Sequence, residues 1–194
     1  MTELLQLDQF LFHQINSVWT SEWLDTLMPL WRNKYIWLPL YVFLISFLLI
    51  NFGKKGSILF IFALLTIGIA DTVSSKVIKK TVQRIRPCND PGMAKFVDLK
   101  IKCGGGYSFT SSHATNHFAL AMFLIFTLGK RFKWIKWALL FWASTIAYGQ
   151  VYVGVHYPLD VISGAILGVL VGTLVATFYD SFKNWRINYN RYNG

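Results

Sequence analysis

Five apolar stretches, at residues 35–52, 57–78, 113–130, 134–153 and 158–179, govern what this chain can fold into. Each approaches the ~20 residues that an α-helix needs to cross a bilayer. The composition agrees: 54% of residues are apolar and 14% are charged, whereas soluble domains carry about a quarter charged residues. The expected fold is an all-α integral-membrane bundle of five to six transmembrane helices, one domain over residues 1–194. Residues 1–33 are weaker. Leu4, Leu5, Leu7, Phe10, Leu11 and Ile15 form an apolar stripe, but Asp8, Gln14, Asn16, Glu22 and Asp25 interrupt any long run. This segment reads either as an interfacial helix or as a weak first span. Met1 to Phe10 lacks the basic start and apolar centre of a cleavable signal peptide, so insertion is expected to use internal segments.

The polar remainder is basic, with a formal charge of +10. Because the basic residues sit between apolar runs, anionic headgroups and the positive-inside rule account for most of them, and nucleic acid is not the expected partner. Lys54 and Lys55, then Lys130, Arg131, Lys133 and Lys136, then Lys183, Arg186 and Arg191 fall on one side if all five stretches cross. That side is expected to be cytoplasmic. Residues 79–112 and the turn near 154–157 then lie outside. Trp31, Trp37, Trp134, Trp137 and Trp185 sit near span ends, as in aromatic belts. The outer loop is itself basic, with Lys79, Lys80, Arg84 and Arg86, which breaks the charge rule and points to another use for positive charge. Gly104-Gly105-Gly106 lacks the Lys-Ser/Thr of a P-loop and reads as a turn. Cys88 and Cys103 both fall in this loop. They can pair if that side is oxidising, and two free thiols is the other reading.

Three clusters carry chemistry, all on the same expected side. Lys79 and Arg86 stand nearly two helical turns apart, so a continuing helix would put them on one face, with Pro87 ending it. Two such cations suit a phosphate: a point charge from Lys and a fork from Arg. Ser108 through Ser111, Ser112 and His113 precede the third stretch, where hydroxyls cap a helix and free N–H groups bind anions. His156 falls in the outer turn before Pro158, a residue suited to a first helical turn. Asp160 is placed to hold one nitrogen of His156, which frees the other as a nucleophile. Taken singly, each cluster has a plain reading: a snorkelling basic belt, an interfacial His, a capping Asp.

Together, Lys79 through Arg86-Pro87, Ser111-Ser112-His113, and Gly149 through His156 to Asp160 resemble, in order and spacing, the three signature motifs of the type-2 phosphatidic-acid phosphatase (PAP2) superfamily of lipid phosphatases and vanadium haloperoxidases. The resemblance implies a membrane phosphatase that uses no metal or other cofactor. His156 would attack phosphorus and form a phosphohistidine, Asp160 would orient it, and His113 would protonate the leaving oxygen. Lys79, Arg86, Ser111 and the Ser112 backbone N–H would hold the phosphoryl oxygens. The resemblance further implies a membrane lipid substrate, with the site facing the periplasm or exterior of a bacterial inner membrane. Undecaprenyl diphosphate, phosphatidic acid, phosphatidylglycerol phosphate and the lipid A phosphates are the candidates.

The chain departs from the family pattern twice. Ser112 stands where the second motif has Gly, and Gly149-Gln150 stands where the third opens Ser-Arg. Gln150 can donate a hydrogen bond to phosphate but brings no charge, and Arg84 or Lys80 is expected to compensate. Asp71, inside the second stretch, is expected to pair with a nearby basic residue. His117, one turn after His113, lacks an obvious third ligand for zinc. Two other functions remain open to sequence reading: a lipid phosphotransferase, and a catalytically impaired protein that binds or transports a phosphate lipid.

Overall fold

The structure, a computed structural model, describes residues 2–129 and 132–193, and these contain helices and no strand. Lys130 and Arg131 of the expected cytoplasmic side lie outside the described residues, as do the side chains of Trp185, Arg186 and Arg191. The helices are α1 (Thr2–His13), α2 (Glu22–Trp31), α3 (Leu38–Asp71), α4 (Lys79–Val82), α5 (Ser112–Leu128), α6 (Ile135–Tyr152) and α7 (Pro158–Asn193). Two helical stretches, Leu38–Asn89 and Pro158–Asn184, are long and apolar enough to cross a membrane. The molecule is apolar on the outside: Ile50 is 82% exposed, and Phe141, Leu174 and Phe178 are exposed as well. A helix that turns such side chains outward suits lipid, where backbone groups must bond within the segment.

The apolar stretches 35–52 and 57–78 form one helix interrupted at Gly53, whose φ of 50° and ψ of −127° are not helical. The two halves fold onto each other there, since Leu48 packs with Leu59 and Phe62. Their backbones nearly touch: a Cβ on Gly56 would lie 2.1 Å from the Leu48 carbonyl oxygen. Beyond α3 the helix widens into a π-helical segment, Thr72–Ile78, before α4.

The centre of the bundle is the α5–α7 contact. Gly164, Gly168 and Gly172 lie one turn apart on α7. A Cβ at each would sit 2.7, 2.4 and 2.3 Å from the carbonyl oxygens of Ser111, Thr115 and Ala119 respectively. Small residues of this spacing let helices approach backbone to backbone. Ala114, Ala119 and Ala121 are fully buried on the α5 side. This contact fixes the start of α5 against the start of α7, where the second and third motifs lie.

Residues 2–33 include two short helices, of 12 and 10 residues, that dock on the end of the bundle that carries the α6–α7 turn. Phe12 packs its ring 5.4 Å from that of Tyr157. Asn16 is fully buried, donating to the carbonyls of Asp98 and Tyr152 and accepting from the Asp98 N–H. Lys100 pairs with Asp25 at 2.9 Å, which ties the long loop to α2. Cys88 and Cys103 are joined by a disulfide in this loop, with Cα atoms 6.1 Å apart.

Candidate active site

His156 and Asp160 stand one helical turn apart across the α6–α7 turn. Gly154 makes that turn possible, with a φ of 86° that a side chain would resist. The Asp160 carboxylate is fully buried and fully used. Its Oδ2 accepts from the Tyr157 N–H at 2.9 Å and from His156 Nδ1 at 3.4 Å, and its Oδ1 accepts from Arg84 at 2.8 Å. Arg86 Nη1 lies 3.2 Å from His156 Nε2. A guanidinium can only donate, so Nε2 accepts and Nδ1 carries the proton. The lone pair of Nε2 therefore faces the cations. Burial, first, and the charges of Arg86 and Lys79 hold the His156 imidazole down to about 4, against the opposing pull of Asp160. The ring is neutral at neutral pH, as a nucleophile must be.

Lys79 and Arg86 converge on this ring, but not along one helix. The helix stops at Val82 because Gln83 turns left-handed, with φ 53°. Arg86 arrives on extended backbone, φ −71° and ψ 150°. The expectation of a continuous helical face is corrected here, although both cations reach the site. Arg86 donates to the carbonyls of Gly106 and Val155, and Lys79 donates to those of Tyr107 and Ser108 at 2.9 and 3.0 Å. Neither makes a salt bridge among the described residues.

Ser111 is the N-cap of α5, accepting from the Ala114 N–H at 3.5 Å, and its own N–H donates to the Asp160 carbonyl at 2.9 Å. The second and third motifs are thus bonded directly. Ser112 shares a hydrogen bond with Ser74 of the π-helical segment at 2.9 Å, and Ser74 also meets Thr110 at 3.1 Å. The side chain at the family's Gly position is therefore absorbed by a hydroxyl cluster. His113 occupies the first turn of α5, within electrostatic reach of His156, Arg86 and Arg32.

Three sequence expectations, on Arg84, Lys80 and Gln150, need correction. Arg84 does not compensate for Gln150: it is bound to Asp160 and Asp8, and its guanidinium lies 4.0 Å from the Tyr157 ring centre. Lys80 is exposed and stays outside the cluster. Asp71 makes no salt bridge among the described residues: it accepts from Asn116 at 3.1 Å and Ser75 at 3.4 Å, and its charge reaches Lys79. Gln150 is fully buried, and its side-chain oxygen accepts from Arg32 Nε at 3.2 Å and Nη2 at 2.9 Å. His117 donates from Nδ1 to the His113 carbonyl at 2.8 Å.

Sequence reasoning missed Asp8 and Arg32, both in the N-terminal segment. Asp8 is 2% exposed, binds Arg84, and accepts from the Leu159 N–H at 2.8 Å. Neither residue belongs to a motif. The one available signal was indirect, since a missing arginine at residue 150 asks where its charge has gone.

The family model described as the PAP2 superfamily matches residues 56–184. The chain belongs to that superfamily. It is 36% identical over 168 residues to the lipid A 4'-phosphatase of Bacteroides thetaiotaomicron, a match covering 85% of this chain and 73% of that protein. It is 31% identical over 154 residues to the undecaprenyl-diphosphatase of Sulfolobus acidocaldarius, covering 79% and 68%. Its fold is similar to that of a transmembrane PAP2 type phosphatidylglycerolphosphate phosphatase from Bacillus subtilis, with a TM-score of 0.70 and 23% identity over 93% of this chain and 88% of that one. Family and apolar helices together make this PAP2 protein an integral-membrane phosphatase.

Proposed function

We propose that this PAP2 phosphatase hydrolyses a lipid phosphate or diphosphate through a phosphohistidine on His156, with no step routed through a metal. The observation that carries the reading is the His156 ring, held between the Asp160 carboxylate and Arg86 with its basic nitrogen turned toward the cations. In the first step Nε2 of His156 bonds to phosphorus as the bond from phosphorus to the leaving oxygen breaks. His113 gives that oxygen its proton, and Asp160 stabilises the charge that His156 gains. In the second step His113 takes a proton from water, the water oxygen bonds to phosphorus, and the P–N bond breaks. Inorganic phosphate leaves and both histidines return to their starting states. Lys79, Arg86 and the start of α5, with Ser111 and Ser112, face the phosphoryl oxygens as charge grows on them.

A lipid substrate is favoured by the apolar exterior and by the substrates named for the two relatives, lipid A and undecaprenyl diphosphate. In this reading the halves of α3 on either side of Gly53, with α5, α6 and α7, make five spans. The helices α1 and α2 lie at the outer surface, where the site opens to the periplasm of a bacterial inner membrane. The test is phosphate release by detergent-purified protein from a panel of lipid A, undecaprenyl diphosphate, phosphatidic acid and phosphatidylglycerol phosphate, with EDTA present. Release that EDTA leaves intact and that His156→Ala abolishes is expected. Activity in His156→Ala equal to the wild type would sink the phosphohistidine.

A further inference from the structure

The third motif of this chain is one cation short at Gln150, and α2 ends beside that position. Two contacts join them. Gln150 holds the Arg32 guanidinium through Nε and Nη2. Gly149 presents bare backbone to the same helix end: a Cβ there would meet Met28 Sδ at 3.7 Å and the Arg32 Cβ at 3.9 Å. Both changed residues of the third motif, Gly149 and Gln150, therefore face one feature, the docked end of α2.

Arginine has five N–H donors. Nε and Nη2 each direct one to Gln150, which leaves three, and among the described residues Arg32 forms no salt bridge. Burial first, and Arg86 second, push its guanidinium down to about 10. A partly buried cation, near another cation and without a carboxylate partner among the described residues, leaves charge for an anion to neutralise. Its electrostatic reach extends to His113, the group set to protonate the leaving oxygen.

We infer that Arg32 binds the transferring phosphoryl group, so that the cation missing from the third motif is delivered by the N-terminal segment and aimed by Gln150. This rests on the phosphatase reading above and adds to it a substrate-binding residue outside the family's motifs. Gln150 is then a positioning residue that need not touch substrate. The N-terminal segment becomes part of the active site, because without it the cradle has Lys79 and Arg86 as its cations.

The test uses the full-length protein in detergent and the lipid phosphate that the wild type cleaves best. Arg32→Gln shortens the side chain but keeps an N–H donor near the Nε position, and with it a hydrogen bond to Gln150, while removing the charge. It is expected to lower kcat/KM by about 10²-fold, the usual cost of one transition-state donor. It should also weaken inhibition by orthovanadate, a mimic of the pentacoordinate phosphoryl group, by at least about tenfold. Gln150→Leu should lower kcat/KM by about tenfold, yet have no further effect in the Arg32→Gln background, because the pair acts as a unit. Lys34→Ala, an exposed neighbouring cation, should stay within about twofold of wild type. The inference is overturned if Arg32→Gln keeps wild-type activity, if it loses activity with vanadate inhibition unchanged, if the Arg32 and Gln150 losses multiply in full, or if Lys34→Ala is equally damaging. A wild-type protein that cleaves no phosphate on the panel would instead refute the phosphatase reading.

Discussion

Arg84 and Arg86 stand two residues apart in one irregular stretch and use the same guanidinium in opposite ways. Arg84 is neutralised. It binds Asp8 and Asp160, both fully buried at their side chains, and joins α1 to the start of α7. Among the described residues Arg86 is bound by neutral oxygen atoms and the His156 ring and makes no salt bridge, so its charge stays available. Lys79 and Arg32 follow Arg86 in this respect. The difference separates a cation that holds the fold together from one that waits for an anion. Charge alone does not distinguish them; the identity of the acceptors does.

The largest effect that would test this contrast is on Arg84. Arg84→Ala removes the cation from two buried carboxylates, which should cost about 3–5 kcal/mol. It should also release Asp160 from its orientation toward His156. A Tm in detergent equal to wild type would show that the pairing carries no structural role. Arg86→Ala should behave oppositely. It should reduce kcat/KM by about 10²–10³-fold while changing Tm far less than Arg84→Ala does. A variant that unfolds before it loses activity would erase the distinction.

A smaller effect sits in the pH profile. In the proposed mechanism attack by Nε2 requires neutral His156, and the ring is held to about 4 instead of 6.5. Lowering the pH to 5.5 should therefore leave this limb of kcat/KM nearly intact, whereas an unshifted histidine would be only about one-tenth neutral there. The same depression has a cost in stability. Between pH 6.5 and about 4 the unfolded chain binds a proton that folded His156 refuses, so folding weakens as the pH falls through that window. An acid limb of kcat/KM centred near 6.5 would contradict the burial of the ring. The smallest effect belongs to Lys80→Ala. This exposed residue makes no salt bridge among the described residues, and its loss should change kcat/KM by less than about twofold.

Much of the site was legible because its residues lie in short motifs whose spacing reports local structure. His156 and Asp160 are one helical turn apart, and Ser111 to His113 begin a helix; both relations survive in the fold. The apolar lengths likewise foretold the helices. Where prediction depended on helix continuity it failed. Lys79 and Arg86 appeared to share a helical face, yet Gln83 breaks that helix, and the long loop returns Arg86 to the site through the Gly106 and Val155 carbonyls.

The sequence by itself determined the helical class, the family motifs and the one-turn spacing of His156 and Asp160. Periodicity and close spacing encode those directly. Only the tertiary structure decided how each cation is used. The partners of Arg84 are 76 residues away in both directions, at Asp8 and Asp160, and the partner of Arg32 is 118 residues away, at Gln150. No local rule connects residues so distant. Their pairing follows from where α1 and α2 dock and from the glycine contacts that bring α5 against α7. The N-terminal segment, the weakest part of the chain to read, proved to hold both the structural counter-charge and the guanidinium beside Gln150.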